Sequence, residues 1–211
     1  MNAPAPIVSI DSGLSVTEQS RGLDWAHWLL RSIRQRCDGV LLGKLESKAT
    51  AQSEWRTFIR DRFLPALGPA LLQAWKFAEA RDVSALIRFD QEQNRTLSKE
   101  ERARSVRAAD ILLTRTRGAR YSGALGQYRN AVDDEQATGH IVIVWAAVAH
   151  LFQLTPSVML AEYLRLEWEA ATRDVPGVPM PFGASAIDVV VLETLKASVP
   201  GEPSLLDRQE A

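Results

Sequence analysis

Cysteine is almost missing from this 211-residue chain: Cys37 stands alone. No internal disulfide can form, no thiolate cluster is available for zinc or iron–sulfur binding, and a reducing cytoplasm is the expected setting. An excess of one charge is missing as well. Lys and Arg number 25 against 26 Asp and Glu, for a net charge of −1, which leaves no global attraction for phosphate backbones and no expectation of nucleic-acid binding. Long apolar runs are absent. The longest, Ile141 to Leu151, falls well short of the roughly 20 residues needed to cross a bilayer, so no membrane span is expected. The opening Met1-Asn-Ala-Pro-Ala-Pro6 has neither the basic nor the apolar region of a secretory leader and reads as a tail. No internal repeat of solenoid length is present.

What remains is a chain long enough for one well-cored domain. Its apolar residues recur at helical spacing almost throughout. Ser15-Val-Thr-Glu18 has the form of a capping box, and Leu23, Ala26, Leu30, Ile33 and Cys37 follow on one face, ending before Asp38-Gly39. Trp55, Phe58, Ile59 and Phe63 mark a second helix. Pro65 and Pro69 then punctuate a third stretch carrying Leu71, Leu72, Trp75 and Ala78. A short helix after Asp82 holds Val83, Leu86 and Ile87. Ser98-Lys-Glu-Glu101 repeats the capping-box form ahead of Val106, Ala109, Leu112 and Leu113.

Gly118, Gly123 and Gly126 predict a flexible join. The run from Ile141 to Ala149 shows no polar face, which suits a helix surrounded by others, although its β-branched residues also suit a buried strand. Helix is favoured by the flanking pattern. Thr155-Pro156 opens another helix reaching about Arg173. Pro176, Gly177, Pro179, Pro181 and Gly183 break the chain, and a last helix from about Ser185 carries Ile187, Val190, Val191 and Leu195. The expected organisation is a tail over 1–10, one all-α multi-helix bundle over 11–198, and a second tail over 199–211.

Catalytic chemistry has little to stand on. The histidines are His27, His140 and His150, and nothing in their spacing brings two together with a carboxylate. Structural or surface roles are expected of each. Glu162 and Glu169, two turns apart, read as ordinary solvated carboxylates. Gly118 and Gly123 lack the Lys-Ser/Thr of a phosphate-cradling loop, and Cys37 reads as a small core residue. The strongest charge signal is the run Arg102, Arg104, Arg107, Arg115, Arg117 and Arg120. Interleaved with Glu100, Glu101 and Asp110, it reads first as a solvated helix face and next as a docking surface for an acidic partner, with RNA or DNA a distant third because no aromatic is interleaved before Tyr121. Trp25, Trp28, Trp55 and Trp75 are expected in the core, yet four such rings in about fifty residues can exceed what one core accommodates, and surplus aromatics become protein contacts.

Three blocks carry a resemblance. The first is Asp11-Ser-Gly-Leu-Ser-Val16 with Ser20-Arg-Gly-Leu-Asp24. The second comprises Ser98, Glu100, Glu101, Arg102, Ser105, Leu112 and Leu113. The third runs from Gly139-His140 through Tyr163 and Ala170-Ala-Thr-Arg173 to Pro181-Phe-Gly183. In order and in kind they are similar to those of the urease accessory protein F family, UreF, all-helical chaperones of urease maturation. Ser15 stands where the family has proline, and the family's central G-x-F is missing.

The resemblance implies a dimeric cytoplasmic scaffold of the UreF type, with no catalytic residue, metal or cofactor of its own. Such a scaffold bridges a UreH/UreD-like subunit and a UreG-like GTPase that delivers nickel to apo-urease. The residues carried over, for fold or partner binding, are Ser20, Gly22, Leu23, Asp24, Arg102, Ser105, Gly139, His140, Tyr163, Arg173 and Gly183. Three other readings stay open: a UreF-type scaffold for a different client enzyme, an all-helical enzyme of the haem-oxygenase shape needing buried His or Glu ligands, and a helical transcription regulator needing a DNA-reading helix.

Overall fold

The helical periodicity of the sequence becomes helix in space. The computed structural model describes residues 16–117, 123–175, 177–178 and 184–197, with the side chains of 16–19 and 184–186 outside that description. In chain order the elements are α1 (Val16–Arg34), α2 (Lys48–Phe58), a π-helical segment (Ile59–Leu67), α3 (Gly68–Glu79), α4 (Val83–Thr96), α5 (Lys99–Arg115), α6 (Ala124–Asp133), α7 (Ile141–Leu151), α8 (Pro156–Ala171) and α9 (Ala184–Ala197). Among the described residues no strand occurs, and the all-α expectation holds. The expected tails at 1–10 and 199–211, the outer limits of the 11–198 domain, the capping serine Ser15 and the turn at Pro181 to Gly183 lie outside the described residues.

The bundle is organised around α7. Every residue from Ile141 to Ala149 is buried, and α3, α4, α5 and α6 pack around it. Its β-branched residues are modest helix formers, so tertiary burial decides the conformation. Each fully buried Val or Ile contributes about 1.5–3 kcal/mol, far more than the propensity it gives up. The Trp145 indole N–H donates to the carbonyl of Met159 at 3.1 Å, tying α7 to the first turns of α8.

The chain passes from α2 to α3 without breaking. Pro65 has no N–H to give and would disrupt an α-helix interior. Here it sits inside the π-helical segment, where the Gly68 N–H reaches back five residues to the Phe63 carbonyl. Pro69 falls in the first turn of α3, where its fixed φ suits the helical backbone. The two prolines thus reshape one long helical path where the sequence suggested punctuation.

Local caps set the starts of α5 and α8. Ser98 Oγ accepts from the Glu101 N–H at 3.2 Å while the Glu101 carboxylate accepts from the Ser98 N–H at 2.9 Å, the capping box read from the sequence. Thr155 caps α8 through the Val158 N–H. The expected flexible join is partly wrong: Gly123 has a φ of 138° and precedes α6, and Gly126 lies inside that helix. Ala124, Leu125, Tyr128 and Ala131 provide its buried face, a helical period that outweighs one interior glycine. Gly118 lies outside the described residues.

Candidate functional site

Two buried carboxylates organise the polar interior. Asp90 occupies α4 at a position continuing the Val83, Leu86, Ile87 register, and it is completely buried. Its Oδ1 accepts from the Tyr128 hydroxyl at 2.7 Å and from the His140 N–H at 2.8 Å. Its Oδ2 accepts from the N–H groups of Thr138 at 2.6 Å and Gly139 at 3.3 Å. The loop entering α7 is therefore wrapped around one carboxylate, placed where the helix dipole favours negative charge. Gly139 has a φ of 84°, which an L side chain adopts only under strain. The Tyr128 phenol is held far above its ordinary value by burial and by the neighbouring Asp90.

Four carried-over residues meet here. Ser105 of α5 accepts from the Ile141 N–H at 3.1 Å, satisfying another of the free donors at the start of α7. The same hydroxyl lies 3.2 Å from His140 Nδ1. Burial pushes the His140 imidazole below its usual value, nearby Asp90 offsets this, and Arg102 adds to the lowering. Arg102 itself donates to the Leu97 carbonyl at 3.2 Å. Serine, histidine and aspartate together suggest a nucleophilic triad, but the geometry is wrong for one. Asp90 holds the backbone N–H of His140 rather than its ring, and Ser105, His140 and Asp90 are all fully buried. The cluster seats a helix.

Glu167 is the second centre. In α8 it continues the spacing of Leu160, Tyr163 and Leu164, fully buried, and its carboxylate accepts from the N–H groups of Leu41 at 3.0 Å and Leu42 at 3.1 Å. Burial raises its pKa, while Tyr163 and the backbone N–H donors of residues 40–42 pull it down. Tyr163 is entirely inside, its ring 6.4 Å from that of Phe63, and its phenol is raised strongly by burial and by Glu167. Arg173 closes the same loop. It pairs with Asp38 and donates to the carbonyls of Gln35 at 3.3 Å and Cys37 at 3.5 Å. An open groove of about 390 Å³ lies alongside, bordered by Leu41, Phe58, Arg62 and Arg104; Arg62 is paired with Glu101 at 2.6 Å, and Arg104 donates to the Val40 carbonyl at 2.8 Å.

The α1 residues divide. Gly22 is buried, and a Cβ there would stand 2.2 Å from the Phe152 carbonyl oxygen, so glycine is what lets α1 lie against the α7–α8 connection. Leu23 packs at the edge of the core, whereas Ser20 and Asp24 are exposed. Gly183 lies outside the described residues.

Two tryptophans depart from expectation. Trp55 is buried and Trp75 partly so, but Trp25 is 56% and Trp28 44% exposed. Their rings meet edge to face at 5.8 Å, and the Arg115 guanidinium lies 5.3 Å from the centre of the Trp28 ring. The arginine run divides likewise. Arg102 and Arg104 turn to backbone carbonyls, Arg117 pairs with Asp133 at 2.7 Å, Arg107 and Arg115 remain on the surface, and Arg120 lies outside the described residues.

His27, His150, Glu162, Glu169 and Cys37 are engaged in structural contacts. His27 meets Glu162 at 3.0 Å, and Arg165 pairs with the same carboxylate. Glu162 is thus buried and doubly paired rather than solvated, and Glu169 is paired with Arg34. His150 packs edge to face on Trp75. Cys37 is buried, as expected of a core residue, and burial raises its thiol. Among the described residues no group of three or more His, Cys, Asp or Glu is placed to hold a metal ion, and no helix is long and apolar enough to cross a membrane.

Asp90, Tyr128 and Glu167 were not singled out from sequence. Their signal was present for the two acids: each sits three or four residues from core positions of its helix, where an unpaired carboxylate is not tolerated. No curated protein and no solved structure matches the chain. The UreF family profile matches residues 45–170, the span from the loop before α2 to the end of α8, which contains Arg102, Ser105, Gly139, His140 and Tyr163. With well over half its length matched and an all-helical fold, the chain belongs to the UreF family of urease accessory proteins.

Proposed function

We propose that this protein is a scaffold of urease maturation, working as a homodimer in the cytoplasm. It joins a UreH/UreD-like subunit to a UreG-like GTPase, which inserts nickel into apo-urease. The family match over residues 45–170 carries this reading. The interior agrees with it: the buried Ser105, His140, Asp90 and Glu167 are engaged in seating helices and loops. In this reading nucleotide hydrolysis and metal transfer belong to the partners. The scaffold contributes differential binding, since only a surface that prefers one partner state over another can shift that partner.

Co-expression with the UreH/UreD-like and UreG-like proteins tests the assignment. Co-purification as one assembly, with nickel-dependent activation of urease that is lost when this chain is omitted, is the expected result. Failure to associate with either protein at micromolar concentration overturns it.

A further inference from the structure

Trp25 and Trp28 are large apolar side chains left outside a core that buries most of its neighbours. They sit three residues apart on α1 and therefore form one ridge along its outer face. Removing such rings from water is favourable, and tryptophan with arginine is the composition of residues that dominate protein interfaces. Arg115 approaches this ridge from α5, which packs alongside α1.

Charge decides what fits. Around the ridge, Arg21, Arg31, Arg36, Arg107 and Arg115 are exposed and form no ion pair among the described residues. Asp24, Glu100 and Asp110 are the exposed acids of α1 and α5 among the residues whose side chains are described, three against those five arginines. The face is therefore basic although the whole chain carries a net charge of −1. Arg34, nearby on α1, is by contrast already neutralised by Glu169.

We infer that this α1–α5 face docks an acidic amphipathic segment of a partner protein, with apolar side chains against Trp25 and Trp28 and carboxylates toward the surrounding arginines. The inference rests on the scaffold reading and assigns one partner-binding side to it. The family match begins at residue 45, so the α1 half of this face lies outside the matched span, while Arg107 and Arg115 of α5 lie within it. Arg115 joins the two parts of the contact: it lies against the Trp28 ring, where one guanidinium can meet both an apolar ridge and an arriving carboxylate.

A synthetic amphipathic peptide of Glu and Leu is the probe, titrated into the full chain with tryptophan fluorescence as readout. Saturable binding that weakens as salt rises is expected, with at least a tenfold loss in the W25S/W28S double variant and in R115E, both retaining the parent far-UV circular dichroism. R115E should gain affinity for the corresponding Lys/Leu peptide. Equal binding of both peptides by the parent chain, or none at millimolar peptide, overturns the proposal. So does preferential binding of a single-stranded oligonucleotide. Concentration-dependent self-association abolished by W25S/W28S would make the face a contact between copies of this chain, and would also overturn it. The scaffold reading fails separately: a W25S/W28S chain that still co-purifies fully with the accessory proteins defeats this surface alone, whereas a parent chain that binds neither defeats the scaffold.

Discussion

The Asp90 carboxylate and the backbone of His140 form the joint between a charged surface helix and the most apolar helix of the fold, at 2.8 Å. Asp90 also serves Tyr128, Thr138 and Gly139. Truncating it strands several buried donors at once, each costing about 1–3 kcal/mol. Asp90→Ala should therefore lower stability by at least about 3 kcal/mol, measured by urea unfolding. Asp90→Asn, which keeps the shape and one carbonyl, should lose less. A loss below about 1 kcal/mol in the alanine variant would contradict the role assigned to this joint.

Two glycines should respond differently to the same change. Gly22→Ala places a methyl against the Phe152 carbonyl and should cost about 1–3 kcal/mol by overpacking. Amide exchange should accelerate in α1 ahead of the rest. Gly139→Ala meets Val132 at 3.3 Å and a backbone φ of 84°, so its cost of about 1–2 kcal/mol is chiefly conformational. Global unfolding should carry that loss, without selective exchange in α1.

Glu167 makes a local prediction. Glu167→Ala removes the acceptor shared by Leu41 and Leu42 and should cost about 1–3 kcal/mol. Hydrogen exchange at those two amides should rise more than at Ile143, deep in α7. Unchanged protection at Leu41 and Leu42 would contradict the assignment.

Acid should weaken the fold. His140 and His150 are both held below the ordinary imidazole value, mainly by burial. As pH falls through about 6.5 the unfolded chain takes up protons that these folded rings refuse, so stability drops until the lower folded values are reached. Glu167 opposes this trend, because its folded pKa is raised and stability is gained as pH falls through that value. Urea midpoints should decrease from neutral pH toward about pH 5.5, and His150→Gln should remove part of the slope. A midpoint that rises over this window would show the imidazole burial to be energetically irrelevant.

The tryptophans separate interior from surface. Trp55 packs against Phe58 and Trp168, and Trp55→Ala should cost about 3–5 kcal/mol. Trp25→Ser should stay within about 0.5 kcal/mol of the parent, as exposed positions generally do. A thermal-melt comparison of the two variants checks the contrast.

Helix identity was legible wherever apolar spacing and capping chemistry agreed. Ser98 with Glu101 and Thr155 with Pro156 act only through residues a few positions away, so the sequence displays both partners. The helical nature of α7 was legible from its flanks. By contrast, Asp90 and Tyr128 lie 38 positions apart, and Glu167 reaches Leu41 across 126. Only tertiary packing brings such pairs together, so the core register of each acid marks it as buried without naming its partner. Ring size alone sets no direction for Trp25 and Trp28, because their neighbours Ala26, Leu29 and Leu30 already fill the inward side of α1.

The wide turns around Pro65 alter the counting of residues along the helix that holds them. A five-residue hydrogen-bond step carries one residue more than the four-residue step of ordinary helix. Deleting Pro65 would let one wide turn tighten into an ordinary turn, which needs one residue fewer, so the aromatic residues of α2 and the aliphatic residues of α3 would keep nearly the same facing. A deletion in the middle of α3 has no such slack and would swing the side chains on either side of it by roughly a quarter turn relative to each other. The segment around Pro65 thus holds a reserve of one residue in length, and a one-residue loss there should be tolerated better than one in the interior of α3.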